Sequence, residues 1–290
     1  KRQAHEVAAA SRLRGPWLAG IEVGNEPDAY EKHGFRGSQW GYADYIAETN
    51  VYRRAIARLA RRIPLLGPGV SGSHVFAEWG PAVVRRLPLL ELTGHHYPLG
   101  CHQLPPPSIE ALLSPVTRHA EAASLRRYLV VALHSHLPFR MDEAGSVSCG
   151  GSAGISNTFA SALWASAYIG QALSAGVSGI NLQGNPANCL GYSPVCAASE
   201  SHLSSGALGA QPVWYALLLT RGLTGYRPLA STVYARAPRN LVAWPMRSPT
   251  GGLAVLLVDD DPPGAPASAV TIAAGGSPRT GNILGLTGPS

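Results

Sequence analysis

Apolar residues along the chain fall into two textures. Over roughly the first 226 residues, short β-branched and aliphatic runs alternate with longer stretches whose apolar positions recur at three- and four-residue steps. The first pattern is that of buried strands and the second that of amphipathic helices. Leu18–Val23, Pro64–Val70, Leu89–Tyr97, Leu137–Glu143 and Gly179–Gln183 read as strands. Residues 1–15, Gln39–Arg62, Val75–Leu87, Ser108–Arg127, Thr158–Leu173 and Pro212–Leu223 read as helices. Tyr128–Leu133 reads as one more apolar β-type run. Repeating strand–helix units imply an α/β architecture with a parallel sheet.

After Tyr226 the texture changes. Val233–Ala235, Leu241–Trp244, Leu253–Val258 and Val270–Ala273 are short β-rich runs separated by Pro, Gly and Asp. That is the composition of a β-sandwich piece, so a boundary is expected near 226, with domains 1–226 and 227–290.

Composition narrows the function classes. Charged residues make up only 14% of the 290, which fits a body with a large buried fraction and excludes disorder. The net charge of +6 comes almost wholly from arginine, since Lys1 and Lys32 are the only lysines. The arginines are scattered, and Arg53, Arg54, Arg58, Arg61 and Arg62 fall mostly off the apolar stripe of their helix. They read as a solvated outer face, and no nucleic-acid partner is expected. From Ala144 to Ser199 no Asp, Glu, Lys or Arg occurs. Ser, Thr, Asn and Gly interrupt this stretch, so no membrane span is expected, and a barrel helix packed between layers explains the same residues.

Cofactor signals are absent. The glycine-rich loop Ala144–Gly154 lacks the Gly-Lys-Ser/Thr of a phosphate loop, and no His-Glu-x-x-His occurs. His95 and His96 are neighbours in a strand and point to opposite faces, so they do not chelate one ion in the usual way. No metal and no cofactor are expected. Cys189 and Cys196 share one polar loop and either bridge or remain free thiols. A bridge suits an oxidising, extracytoplasmic compartment, although no signal-peptide pattern opens the chain.

Chemistry concentrates at strand ends. In parallel β/α folds the carboxyl ends of the strands collect ligands and catalytic groups. Asn25 and Glu26 close the first strand, Tyr97 the third, and Glu143 the fourth. A pair of carboxylates so placed suits acid/base and nucleophilic work on a glycoside.

The motifs carry a resemblance. Gly24-Asn-Glu-Pro-Asp28, Thr93-Gly-His-His-Tyr97, Asp142-Glu143 with Ser146-Val-Ser-Cys-Gly-Gly151, Ser156–Trp164 and Gln211–Leu218 resemble segments of glycoside hydrolase family 79, the β-glucuronidase and heparanase family, especially its bacterial members. The resemblance covers roughly 17–275. It implies a (β/α)8 TIM-type barrel lacking its first three β/α units, followed by part of a β-sandwich, with the strand of Glu26 at a sheet edge. It implies Glu26 as acid/base, Glu143 as nucleophile, Asn25 on the sugar 2-hydroxyl and Tyr97 orienting Glu143, with His96 among the polar groups that reach the pocket. The substrate would be a β-glucuronide or related glycoside. Ser148 and the backbone amides near Cys149 and Gly150 are candidates to receive its carboxylate, because glycines let backbone N–H groups approach a ligand closely. Gly145 stands where the family often has Asn, and Ser148 where several uronate-specific members have Tyr. Alternatives are a retaining barrel glycosidase for a neutral sugar, and an inactive or carbohydrate-binding remnant. For retention, the two carboxyl groups should lie about 5–5.5 Å apart.

Overall fold

The computed structural model describes residues 2–14, 18–59, 63–234, 238–273 and 280–288. Lys1, Gly15, Arg61, Arg62 and Ala235, which fall within readings above, lie outside them. In chain order the elements are α1 (Arg2–Arg14), β1 (Ile21–Glu22), α2 (Tyr42–Ala57), β2 (Leu65–Val70), α3 (Ser73–Arg86), β3 (Leu89–His96), α4 (Ile109–Leu112), α5 (Pro115–Ser135), β4 (Phe139–Ala144), α6 (Phe159–Ala175) and β5 (Gly179–Leu182). Next come β6 (Val195–Cys196), α7 (Glu200–Ser205), β7 (Gly209–Ala210), α8 (Pro212–Thr220), β8 (Arg227–Pro228), β9 (Leu241–Arg247) and β10 (Leu253–Asp259). Strands β1 to β5 form one parallel sheet in sequence order, the half-barrel that the strand–helix alternation calls for. Among the described residues β1 pairs only with β2.

The chain divides into two compact units of interleaved segments. One comprises Lys1–Pro98, His119–Gly145 and Ala175–Gln183, and the other Leu99–Arg118, Ser146–Ser174 and Gly184–Ser290. The first holds the parallel sheet. Its interior is closed by an aromatic wedge of Phe76, Tyr128 and Phe139, each at most 1% exposed. Tyr128 lies 4.7 Å from Phe76 and stacks at 4.6 Å on Phe139, measured between ring centroids.

This wedge corrects one expectation. Tyr128–Leu133 is not a strand but the middle of α5. Leu125, Tyr128 and Ala132 are buried while Val130 and Leu133 are exposed, which is helical spacing; six consecutive apolar residues had hidden it.

In the second unit, β9 and β10 pair antiparallel over seven residues and β8 adds to β9. Ala167 of α6 clusters with Leu256 and Val258 of β10, with Leu219, Val242 and Trp244 packed on it. The small residues of α6 have a purpose here: a Cβ on Gly170 would lie 2.6 Å from Trp244. Val233 and Val270–Ala273 are not in strands, whereas β9 and β10 run further than their sequence patterns suggest. No helix of the described residues is long and apolar enough to cross a membrane.

All four cysteines are paired, Cys101 with Cys149 and Cys189 with Cys196. The first bridge was not legible in the spacing, because 48 residues separate its ends.

Candidate active site

Glu26 and Glu143 meet at one imidazole. His95, 2% exposed, places Nδ1 3.0 Å from Glu26 Oε1 and 3.7 Å from Glu143 Oε1. The three donor atoms all lie within 4.8 Å of one another, so the facing oxygens of the two carboxylates are no further apart than that.

Glu26 is held by a short backbone excursion after β1. Its N–H donates to the Gly69 carbonyl at 3.0 Å, and its own backbone is left-handed at φ 46°, ψ 56°. A non-glycine residue in that region carries strain of about 1–3 kcal/mol, and such strain gathers at functional sites. The segment beyond is pinned from both sides. Asp28 accepts from the Ser71 backbone at 3.0 Å, and Trp40 Nε1 donates to the Pro27 carbonyl at 2.7 Å. The Asn25 N–H donates to the Tyr30 hydroxyl at 3.2 Å.

Glu143 is gripped through both oxygens. Tyr97 donates to Oε1 at 2.7 Å and Gln183 Nε2 to Oε2 at 2.9 Å. The strand register explains how Glu143 reaches the site beside its neighbour. Gly94 pairs with Met141 and His95 with Glu143, so Asp142 is an extra residue on β4. Such a bulge breaks the alternation and re-aims side chains. Asp142 and Glu143 consequently both approach His95, with Asp142 Oδ2 3.8 Å from Nε2.

A second carboxylate pair lies behind the first. Glu22 of β1 accepts from the Thr93 hydroxyl, and Thr93 Oγ1 accepts from the Gly69 N–H at 3.1 Å. A second bulge, at Gly69 of β2, makes this possible: at φ +55° a Cβ there would sit 1.9 Å from Glu22 Oε1. Glu22, His95 and Asp142 again keep their donor atoms within 4.8 Å.

These positions set the ionisation. Burial, then the charge of Asp142, raises Glu22 from 4.5 to about 8. Burial likewise raises Asp142. The His95 hydrogen bond holds Glu26 below its ordinary value. Burial alone would depress His95, but its contacts with Glu26, Asp142 and Glu143 outweigh it and raise the imidazole.

His96 does not join the cluster. It turns to the helix side of β3, where Nε2 lies 3.3 Å from Glu121 Oε1 on α5. Strand alternation sends Thr93, His95 and Tyr97 to one face and His96 to the other, so His95 is the histidine at the carboxylates. The carboxyl ends of the strands thus bring together Glu26, Tyr97 and Glu143 as the sequence suggested, and add His95, Asp142, Glu22, Thr93 and Gln183.

Ser148, Cys149 and Gly150 belong to the second unit. Ser148 Oγ accepts from the Cys101 N–H at 3.0 Å and the Ser148 N–H donates to the Leu99 carbonyl at 3.0 Å. The disulfide fastens the same loop to Cys101, with Cys149 left-handed at φ 59°.

The carboxylate sets have donors that suit a divalent cation only if they turn to a common point. Glu143 is already engaged by Tyr97 and Gln183, and Glu26 by His95. Cys101 and Cys149, grouped with His102, are joined to each other and offer no thiolate.

No protein-family model and no curated protein sequence matches this chain. Solved structures do. A 4-O-α-L-rhamnosyl-β-D-glucuronidase from Fusarium oxysporum 12S is similar with a TM-score of 0.65 at 21% identity, over 90% of this chain and 56% of that one. A GH51 arabinofuranosidase from Xanthomonas axonopodis pv. citri has a TM-score of 0.60 at 14% identity, over 88% and 55%. A GH39 β-xylosidase from Caulobacter crescentus has a TM-score of 0.54 at 17% identity, over 84% and 52%. The chain spans little more than half the length of these proteins. The parallel half-barrel, with its small antiparallel sheets, is the fold of part of the TIM-barrel glycosidases.

Proposed function

We propose that this chain carries the catalytic carboxylates of a retaining β-glycosidase, and that the whole protein cleaves β-glucuronides. The approach of Glu26 to Glu143 carries the reading. Oxygens within 4.8 Å of each other suit double displacement, in which the carboxyl groups stand about 5–5.5 Å apart. Inverting enzymes leave about 6.5–9.5 Å for a water.

In the first step a Glu143 oxygen attacks the anomeric carbon and Glu26 protonates the leaving oxygen. In the second, Glu26 takes a proton from water, which displaces Glu143 from the sugar. Tyr97 and Gln183 fix the two oxygens of Glu143, so the attacking lone pair is aimed before substrate arrives. Asn25 is assigned to the sugar 2-hydroxyl. The Ser148 hydroxyl and the backbone amides of Cys149 and Gly150 are assigned to the carboxylate of a uronic acid. The two disulfides favour an extracytoplasmic setting.

A neutral sugar is the second reading. It is favoured by the engagement of Ser148 Oγ with Cys101 and by the likeness to an arabinofuranosidase and a xylosidase.

The test uses the whole gene product with a 2-deoxy-2-fluoro-β-glucuronyl fluoride. A covalent sugar on the peptide containing Glu143 is expected; turnover of glucuronides with Glu143 unlabelled overturns the assignment. A 4-nitrophenyl β-glucuronide should be cleaved at least about tenfold more efficiently than the β-glucoside, about 1.4 kcal/mol of transition-state preference. Equal or reversed preference leaves the neutral-sugar reading.

A further inference from the structure

Behind the paired glutamates lie two carboxyl groups that the double displacement does not use. Glu22 and Asp142 come from strands β1 and β4, yet a carboxyl oxygen of each and a His95 ring nitrogen all lie within 4.8 Å of one another. A hydrogen bond between two carboxyl groups needs a proton on one of them. Asp142 Oδ1 is buried with no hydrogen-bond partner, and a protonated Glu22 would supply the donor it lacks. The arrangement is built rather than incidental. Thr93 and the Gly69 bulge hold Glu22 in place, and the β4 bulge turns Asp142 inward.

His95 bridges the two pairs. One ring nitrogen faces Glu26 and Glu143, and the other faces Asp142. Four carboxyl groups around one imidazole cannot all ionise without strong mutual repulsion. Protons must therefore be distributed among them, and position decides where.

We propose that Glu22 and Asp142 share one proton and, acting through His95, set the protonation of Glu26, so that both are positioning residues for the acid/base. This rests on the glycosidase reading for its consequence in catalysis, though not for its geometry. Ionised Asp142 keeps His95 an imidazolium whose Nδ1–H points at Glu26. As Glu26 gives its proton to the leaving oxygen, the His95 Nδ1–H stays bonded to the ring and hydrogen-bonds the Glu26 carboxylate that remains. The ring keeps both its protons, one toward Glu26 and one toward Asp142. When Glu26 later takes a proton from water it returns to the neutral acid, and charge and protons balance over the cycle. The groups facing this cluster include Tyr45 from α2, Asp28, Lys32 and His33 from the segment after β1, Tyr97 after β3 and Tyr128 from α5.

The test reads His95 directly. The protein is labelled with 15N-histidine, and the His95 resonances are identified by their loss in His95→Gln. In the wild type, the ring should stay protonated above the usual histidine range and show a second inflection near pH 8, where Glu22 ionises. Asp142→Asn should lower the ring's midpoint by about one pH unit or more, because an opposite charge is lost. Glu22→Gln, which donates permanently to Asp142, should abolish the inflection near pH 8. A midpoint unmoved in Asp142→Asn, or an inflection that persists in Glu22→Gln, overturns the proposal. If Asp142→Asn does not fold, Glu22→Gln alone decides. In the whole gene product, the alkaline limb of the kcat/KM profile should move to lower pH in Asp142→Asn. A merely structural role would scale the rate equally at all pH values. If no glycoside is cleaved, the glycosidase reading fails while the resonances still judge the carboxyl pair.

Discussion

Gly94→Ala tests whether the aromatic wedge under the site is as tight as its distances imply. A Cβ at Gly94 would lie 2.5 Å from Tyr128 Cε1 and 3.1 Å from Cζ. The ring cannot retreat, because Phe76 and Phe139 flank it at 4.7 and 4.6 Å and its hydroxyl donates to the His95 carbonyl at 2.7 Å. Overpacking of this kind costs about 1–3 kcal/mol. Loss or distortion of the buried hydrogen bond adds about 0.5–1.5 kcal/mol. Alanine stiffens the unfolded chain and offsets about 0.5–1 kcal/mol. A net loss near 2–3 kcal/mol follows, or about 4–12 °C in Tm at 2–4 °C per kcal/mol. The assay is thermal unfolding followed by circular dichroism, with Tyr128→Leu as a second background. There the smaller side chain makes room, so Gly94→Ala should cost less than in the wild type, a coupling between neighbours. A Tm within about 2 °C of the wild type, or the same cost in both backgrounds, would refute the packing argument.

Other perturbations have expected outcomes. Tyr97→Phe removes a hydrogen bond to a carboxylate worth about 1.5–3 kcal/mol, so kcat/KM of the whole gene product should fall by about 10- to 100-fold; a fall under about threefold would mean that Gln183 alone holds Glu143. Glu22 has a folded-state value of about 8 against 4.5 unfolded, so the folded state binds more protons between those values and stability falls as pH rises from 4.5 to 8. The slope from this group approaches about 1.4 kcal/mol per pH unit, and His95 and Asp142, both raised, act in the same direction. Urea melts at pH 5 and pH 8 should therefore show Glu22→Gln losing less stability than the wild type, and parallel losses would contradict the linkage. The Cys101–Cys149 bridge spans 48 residues and the Cys189–Cys196 bridge 7, so chain entropy gives about 4 and about 2 kcal/mol. Replacing the first pair with serine should lower Tm more than replacing the second, and the reverse order would count against that account.

How much of this was legible in the sequence depends on which rule each residue obeys. Periodicity located the strands that carry Glu26, Tyr97 and Glu143, because five β/α repeats present their ends alike. It misread Tyr128–Leu133, where apolar density masked a helical stripe whose outer face remains exposed. Histidine identity turned on one residue of alternation, and only the sheet register sends His95 rather than His96 to the carboxylates. Glu22 and Asp142 were invisible as a pair. Each looks like an ordinary strand residue, and two bulges that no local pattern announces bring them together. The Cys101–Cys149 bridge was hidden for the same reason: partners distant in sequence are matched by the fold alone.

The strand order has a bearing on how the chain is made. Each strand from β2 to β5 docks on the one synthesised immediately before it, so the sheet can grow in the direction of translation without waiting for a distant partner. Pairing between sequence neighbours keeps loop closure short, which speeds assembly. At every stage the growing edge is the most recent strand. The longest waits precede β2 and β4, where residues 23–64 and 97–138 must leave the ribosome first. During the second of these waits β3, with Thr93 and His95, is the open edge. A chaperone that shields nascent strands would act there, on the segment that later carries the histidine between the carboxylates.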